Sequence, residues 1–360
     1  MFSPIANLRQ TPYFRLFSFI ITFILITGLV LPPAQAAMFS DILPAPGQVL
    51  ALSAPYRPAL LRGITINPDN PLLFDFLLQR GDTPLNGEEL KAESEKLVKY
   101  FLTALTVPED QGWVNLSPHE KDRIIADSLS ATQMGRTMLE QDYLLKQLTA
   151  SLTYPETELG QTFWTRVQDM AFERFGTRDI AIDNFNKVWI VPQQAVVTEE
   201  GATAFVVDWH LKVMMEADYQ ALKGAQAGED SSPASAVDAQ AAAGQELSAR
   251  FVREIVVPEL EKEVNAGTHF APIRQVFLSV ILATWFKQRL QESLLGRIYV
   301  DQNKTAGVDT EDPAIKQAIY EQYLAAFKQG VYNLVREDYD ADAQTVIPRK
   351  YFSGGIVSVQ

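Results

Sequence analysis

The stretch that most constrains the fold is residues 186–215, NKVWIVPQQAVVTEEGATAFVVDWHLKVMM, the longest part of the chain with a β-strand pattern. Its second half alternates between an apolar set and a mixed set of side chains. The apolar set is Phe205, Val207, Trp209, Leu211, Val213 and Met215, and the mixed set is Ala204, Val206, Asp208, His210, Lys212 and Met214. Successive side chains of a strand point to opposite faces, so this period of two predicts a half-buried strand. We predict a β-hairpin whose apolar face is covered by helices at 134–152 and 276–286.

Two further features refine the prediction of β structure. Pro192 cannot donate a hydrogen bond to a ladder, so the first strand of the hairpin is predicted to be bulged there or to lie at an edge. Upstream, residues 60–66 and 72–78 have strand patterns and are separated by the turn-forming residues NPDNP at 67–71. This arrangement predicts a second hairpin that can pair with the first.

Helical patterns fill most of the remaining chain. Residues 87–106, 134–152 and 157–175 carry apolar stripes at helical spacing, and residues 276–286 are almost continuously apolar. Since a membrane-spanning helix needs about 20 apolar residues, the run at 276–286 predicts a central core helix instead. The chain is therefore predicted to be α+β, predominantly helical, with one or two small antiparallel β-hairpins packed against the helices.

The N-terminus has the three parts of a secretory signal peptide. Arg9 and Arg15 precede a largely apolar run at 16–30, and Ala34 and Ala36 occupy the −3 and −1 positions of a cleavage site. We predict cleavage after Ala36, which makes the mature protein extracytoplasmic, either periplasmic or secreted. After cleavage no later segment is long and apolar enough to predict an integral membrane span.

Changes in composition along the chain predict its organisation. The stretch GAQAGEDSSPASAVDAQAAAGQ is rich in Ala, Gly and Ser and has almost no large apolar residue, so it is predicted to be a flexible loop. The predicted segments are a signal peptide (1–36), an extended entry segment (37–59), an α+β region (60–223) containing the hairpin 186–215, a flexible low-complexity loop (224–245), a helical region packing on the first (246–340) and a tail (341–360).

Charge and cysteine content exclude several classes of function. The net charge is −13 at pH 7, and an acidic chain repels phosphate backbones, so we expect protein partners and no nucleic acid. The chain has no cysteine, which excludes disulfides, thiolate metal sites and cysteine nucleophiles. The oligomeric state does not follow from these features.

Asp208 and His210 are the candidate catalytic residues. The alternation places them on the same face of one strand, and a carboxylate two residues from an imidazole can orient that imidazole for catalysis or metal binding. The alternative interpretation is the ordinary polar face of a half-buried sheet.

Residues 301–312, DQNKTAGVDTED, partly resemble a calcium-binding loop. Oxygen-bearing side chains occupy positions 1, 3, 5, 9 and 12, namely Asp301, Asn303, Thr305, Asp309 and Asp312. Ala306 stands where the turn needs glycine, and position 12 is Asp where bidentate Glu is usual. The alternative is a polar loop between two helices with Asp312 as a helix cap. Apart from Ca²⁺ here, no cofactor is predicted.

Several sequence blocks resemble a family of exported bacterial proteins for which no activity is established. The blocks are ITINPDNPLLFDFLL (64–78), EQDYLLKQLTASLTYPE (140–156), FNKVWIVPQQAVV (185–197), AFVVDWHLKVMMEADYQAL (204–222) and IPRKYFSGG (347–355). The resemblance covers most of the mature chain. It implies export and one continuous module, and it implies no catalytic residue.

Three classes of function follow from these observations. The leading prediction is a non-enzymatic extracytoplasmic interaction or structural component, because the signal peptide is clear and no catalytic motif accompanies it. The first alternative is an exported hydrolase or metal-dependent enzyme that uses Asp208 and His210. The second alternative is a periplasmic chaperone or assembly factor, whose mark is a large exposed apolar groove.

Overall fold

The structure is a computed structural model. It describes residues 43–45, 47–67, 69, 73–82, 84–117, 124–176, 178, 187–227, 249–292, 314–328, 338–340, 345–347 and 355–357. The chain divides into two compact units, Met1–Pro44 and Ala45–Gln360, and the fold below is that of the second. The predicted signal peptide and most of the low-complexity loop lie outside the described residues. Within the described part, none of the helices is both long and apolar enough to cross a membrane.

The second unit contains both helices and strands, and their bounds are as follows. The helices are α1 (Gly87–Thr106), α2 (Asp127–Ser130), α3 (Gln133–Leu152), α4 (Glu158–Phe175), α5 (Glu216–Ala227), α6 (Val257–Ala266), α7 (Ala271–Glu292) and α8 (Ala314–Lys328). The strands are β1 (Leu60–Ile66), β2 (Phe74–Gln79), β3 (Trp113–Val114), β4 (Val188–Glu200), β5 (Thr203–Met215), β6 (Asp338–Asp340), β7 (Thr345–Ile347) and β8 (Gly355–Val357).

The prediction of one or two small antiparallel hairpins is wrong, because six strands form one curled mixed sheet. Its strand order is β2-β1-β5-β4-β8-β3, and β6 and β7 form a separate pair. Both predicted hairpins are present, as β1–β2 and β4–β5, and β1 joins them by pairing with β5. The sheet is mixed because β8 runs parallel to β4 and antiparallel to β3. A three-residue strand from the predicted tail thus extends the sheet, which no local pattern indicated.

The predicted apolar face of β5 is right for Leu211, Val213 and Met215 but wrong for Phe205 and Val207, because a bulge at Val207 changes the alternation. Val206 pairs with Val197 and Asp208 pairs with Val196, which leaves Val207 as an extra residue. An extra residue in one strand shifts every later side chain to the opposite face. The buried residues of β5 are Ala204, Val206, Leu211, Val213 and Met215, whereas the Val207 residue is 51% exposed. The bulge predicted near Pro192 is confirmed by a register shift between Pro192 and Gln194.

Two helices form the centre of the unit. The prediction of a core helix over 276–286 is confirmed: these residues belong to α7, which packs against α1, α3, α6, β1 and β5. The second central helix, α3, has most of its residues buried on all sides and packs against α1, α7, α8, β3 and β8. The helix at 134–152 was predicted to cover the long hairpin, but it covers mainly β3 and β8.

Capping residues explain where several helices begin and end. Asn86 and Glu89 form a capping box at the start of α1, and Thr132 and Thr157 accept N–H bonds at the starts of α3 and α4. Gly176 ends α4 in the left-handed conformation.

Two predicted boundaries differ: α5 continues to Ala227, inside the predicted loop 224–245, and residues 338–340 form a strand inside the predicted helical region.

Candidate functional site

The structure gives His210 a partner other than Asp208. The His210 Nε2 atom lies 2.9 Å from the Glu261 Oε1 atom on α6. Asp208 is exposed, and its carboxylate accepts a hydrogen bond from the adjacent Trp209 N–H at 2.9 Å. The fold therefore brings His210 to a carboxylate that the sequence pattern did not indicate.

A second hydrogen bond, to the backbone of β5, explains why Glu261 lies beside His210. It accepts the Val213 N–H at 3.1 Å, and Asn265, one turn later, accepts the Leu211 N–H at 3.0 Å and donates to the Leu211 carbonyl at 2.7 Å. These side chains occupy the edge of β5 beyond the short pairing with β1. Helix α6 thus covers a strand edge with side chains, and the His210 contact belongs to this structural arrangement.

The described residues offer no obvious metal centre. No group of three or more His, Cys, Asp or Glu side chains within them is arranged to hold a metal ion. The calcium candidates Asp301, Asn303, Thr305, Asp309 and Asp312 all lie outside the described residues. The proposal of a calcium loop therefore stays a prediction from the sequence.

The other long strand, β4, presents an open edge. On that side it pairs with β8 only at Trp189 and Ile190, and no described residue pairs with it from Gln193 to Glu200. At about 3.3 Å per residue this open edge is about 26 Å long. The residues along it are exposed except for Val197, which is half-buried. This edge offers backbone donors and acceptors to another chain.

Helix α7 runs alongside β4 and leaves a groove between the two elements. The Phe277 ring lies 6.2 Å from the Trp209 ring, and Trp209 is the register partner of Ala195. Further along, the Trp285 Nε1 atom donates to the Glu199 Oε1 atom at 2.7 Å. From Phe277 to Trp285 the helix advances about 12 Å, and from Ala195 to Glu199 the strand advances about 13 Å. The two elements therefore follow the same direction over this distance.

The groove encloses a cavity of about 380 Å³. Its lining residues are Pro192, Gln193, Gln194, Ala195, Val197, Phe277, Val280, Ile281, Thr284, Trp285 and Gln288. This volume is within the range of about 300–1,000 Å³ that is typical of ligand sites. One end is bounded by Glu199, which bonds Trp285 and also forms an ion pair with Arg289.

The lining of the groove can bind but has no group suited to acid–base catalysis. Apolar and aromatic side chains come from α7, amide side chains come from Gln193, Gln194 and Gln288, and the set contains no Asp, Glu, His, Lys or Arg. General acid–base catalysis needs a titratable side chain at the reacting atoms. The arrangement therefore supports recognition of an apolar, hydrogen-bonding ligand.

Sequence reasoning missed this groove because its two walls lie far apart in the chain. Phe277, Val280 and Ile281 are buried, as a core helix predicts, and nothing in their spacing shows that they also line a cavity. The available signal was Pro192, which correctly predicted a disturbed or edge position in β4. Comparisons with models of protein families, with curated proteins and with solved structures find no match to this chain.

Proposed function

We propose that this protein is a non-enzymatic extracytoplasmic interaction protein that binds an extended polypeptide segment along the β4–α7 groove. The observation that carries the proposal is the open edge of β4 from Gln193 to Glu200, directly beside a cavity lined by both apolar and amide side chains. Export through the predicted signal peptide is part of the proposal and rests on the sequence of residues 1–36.

Strand addition explains why an open edge and a groove occur together. A peptide that pairs with an edge strand gains main-chain hydrogen bonds, and every second side chain can enter an adjacent pocket. Proteins normally protect long edges with Lys, Pro, a bulge or a covering element. Here α6 covers the edge of β5, whereas on β4 Pro192 and the bulge at Gln193 protect only the start of the edge, and the rest of it up to Glu200 contains no Lys, Arg or Pro. The difference between the two edges favours a binding role for β4.

The groove also limits the chemistry of its occupant. Its cavity has room for a few side chains, so it suits one short segment. At the far end of the edge Glu199 is paired with Arg289, and the adjacent Glu200 adds a negative charge, which favours a partner segment that is neutral or basic there. We therefore propose an extended segment with alternating apolar residues and no acidic residue near its end at Glu199.

The two alternative functions are supported less well. An exported hydrolase using Asp208 and His210 is disfavoured because His210 contacts Glu261 in the cover of β5, and neither Asp208 nor His210 lines the groove. A general chaperone needs a large apolar surface, whereas this groove is short. An assembly factor that recognises one particular segment is compatible with the same site.

A random-peptide display library, selected on mature protein from residue 37 onward, tests the proposal. Selected peptides should carry apolar residues at alternate positions. Their binding should slow the hydrogen exchange of the backbone amides of Gln193–Glu200. Ala195→Lys places a charge in the groove. It should weaken the binding of a selected, fluorescently labelled peptide at least tenfold, which is equivalent to about 1.4 kcal/mol.

Val207→Lys is the matched control, because Val207 is exposed on β5 and is not a groove residue. It should bind the selected peptide like the unaltered protein. Failure to enrich any peptide would argue against the proposal, and so would equal binding by the Ala195→Lys and Val207→Lys variants.

A further inference from the structure

A second cavity lies where β1 and β5 separate. The two strands pair only from Gly63 to Thr65 with Thr203 to Phe205, and β5 is covered further along by Asn265. Between them a cavity of about 320 Å³ is lined by residues that include Trp209. Its apolar lining comes from two prolines, Tyr56, Leu60, Ala266 and the Trp209 ring.

The charged side chains that line this cavity are all basic. They are Arg57, Arg62 and Arg274, and no Asp or Glu is among the described residues that line it. This is unusual for a chain with 44 acidic residues and 31 Lys and Arg residues. Three guanidinium groups around an apolar cavity produce a local positive potential in an otherwise acidic protein.

Arg274 is the most informative of the three because it is buried. It is 2% exposed, and burial lowers its pKa to about 10, which leaves it protonated at neutral pH. Its guanidinium donates to the carbonyls of Val264, Gly267 and Tyr56 at 2.7–2.9 Å. Arginine has five N–H donors, and these three bonds use three of them.

The surroundings do not neutralise Arg274 by direct contact. No carboxylate of the described residues forms an ion pair with it, and the nearby Glu263 carboxylate accepts from the backbone and hydroxyl of Ser53. The carbonyls of Val264 and Gly267 belong to the C-terminal end of α6, which carries only about half a negative charge. The buried Glu263 carboxylate attracts Arg274 without direct contact, and a bound anion can add the direct partner that buried charges in proteins normally have.

The other two arginines lie nearer the solvent. Arg57 forms an ion pair with Asp82 at 3.0 Å, and Arg62 donates to the Val207 carbonyl at 3.4 Å. Like Arg274, Arg62 forms no ion pair with a carboxylate of the described residues. Arg62 and Arg274 together therefore provide two cations for one anionic group.

We propose that this cavity binds an organic carboxylate with an apolar body, the carboxylate meeting Arg62 and Arg274 and the body lying against Trp209 and Leu60. The apolar lining selects against small, fully hydrated anions. The guanidinium groups select against neutral ligands of the same shape, because planar bidentate pairing is specific to carboxylates and related groups. The site is distinct from the β4–α7 groove and does not depend on the function proposed for that groove.

Calorimetric titration of the mature protein with octanoate and with octanol tests this proposal. The two probes share an apolar chain and differ in charge. We expect saturable 1:1 binding of octanoate, and at least tenfold weaker binding of octanol. Arg62→Gln removes one charge-assisted contact and should weaken the binding of octanoate about tenfold. Gln79→Glu adds a carboxylate to the lining and should weaken octanoate binding by a similar factor. Octanol binding should change little in both variants.

Arg250→Gln is the control, because it removes the same charge from a residue outside the cavity lining. It should bind octanoate like the unaltered protein. The proposal is overturned if octanoate gives no saturable binding at millimolar concentration, if octanol binds equally well, or if Arg62→Gln and Gln79→Glu both leave the affinity unchanged. Arg274 itself is not altered in this test, because it also holds the end of α6.

Discussion

Asp142 and Lys146 form an ion pair in the interior of the protein. The Asp142 Oδ2 atom lies 2.5 Å from the Lys146 Nζ atom one turn along α3, and both side chains are 0% exposed. The same oxygen accepts the Leu116 N–H at 2.7 Å, and the ring of Tyr323 on α8 is centred 5.6 Å from Nζ. The pair thus links α3 to the segment after β3 and to α8.

We expect Lys146→Met to destabilise the protein strongly at pH 7. The substitution keeps an apolar stem of similar length but leaves the Asp142 carboxylate buried without its cation. Breaking a buried pair on one side costs about 3–5 kcal/mol. Urea unfolding followed by circular dichroism measures this loss, and the double variant Asp142→Leu with Lys146→Met should recover a large part of it. Equal destabilisation of the single and double variants would contradict the expected role of the ion pair.

The destabilisation caused by Lys146→Met should depend on pH. Burial raises the pKa of Asp142 above the ordinary value of 3.8, and Lys146 opposes that rise. Removing Lys146 raises the folded-state pKa further, so the native state holds a proton that the unfolded state releases above about pH 4. Above the raised folded-state pKa of Asp142 in the unaltered protein, the free energy of unfolding of the variant should therefore keep falling with increasing pH, relative to the unaltered protein, until the still higher pKa of the variant is reached. A pH-independent difference between the two proteins would contradict this linkage.

Asn265→Ala should loosen the covered edge of β5. The substitution removes both hydrogen bonds to Leu211 and leaves its N–H and carbonyl without these partners. The expected loss is about 1–3 kcal/mol, with faster hydrogen exchange at the Leu211 amide. Lys262→Ala, at an exposed position on the same helix, should change stability by less than about 0.5 kcal/mol. Unchanged protection of Leu211 would show that α6 does not cover this edge.

The predictable parts of the fold are those with strong local patterns. The hairpin β4–β5 combines long alternation with a two-residue connection at Gly201-Ala202, and the core helix α7 contains a long apolar run. Both signals come from neighbouring residues. By contrast, β8 is three residues long and its partners lie far away in sequence, so no local pattern indicates that it enters the sheet.

Two side-chain environments show why the rest was not predictable. Asp142 and Lys146 have the i, i+4 spacing of an ordinary solvent-exposed helix pair, and only the packing of α3 on all sides places them in the interior. Arg274 lies in the first turn of α7, just before the apolar run at 276–286, and nothing in the local spacing shows that it is buried. The groove beside β4 had only a weak signal in Pro192, because a groove depends on the relative placement of two distant elements.

Gly355→Ala should displace β8 from the sheet. Gly355 has φ of +141°, and an added Cβ would lie 2.0 Å from the Val114 carbonyl oxygen and 2.8 Å from a ring carbon of Trp189. The clash and the unfavourable backbone angle together should cost about 2 kcal/mol or more, and the emission of Trp189 should shift as its surroundings become wetter.

Gly201→Ala provides a comparison for Gly355→Ala. Gly201 has φ of +62°, but no atom lies within 4 Å of its added Cβ. Only the left-handed backbone is penalised there, by about 1–2 kcal/mol, and the tryptophan emission of the native state should stay unchanged. Similar emission changes in the two variants would argue against a specific role for the tail strand.

The bulge in β5 can be tested by exchanging its two central valines separately. The alternation of the sequence predicts that Val207 faces the core and Val206 does not, whereas the structure places Val206 at 1% and Val207 at 51% exposure. Val206→Lys should therefore destabilise the protein by at least about 3 kcal/mol, because it buries a charge without a partner. Val207→Lys should change stability by less than about 0.5 kcal/mol. Urea unfolding of both variants gives the answer, and the opposite ranking would show that β5 continues without a bulge and turns its Phe205–Met215 face to the core.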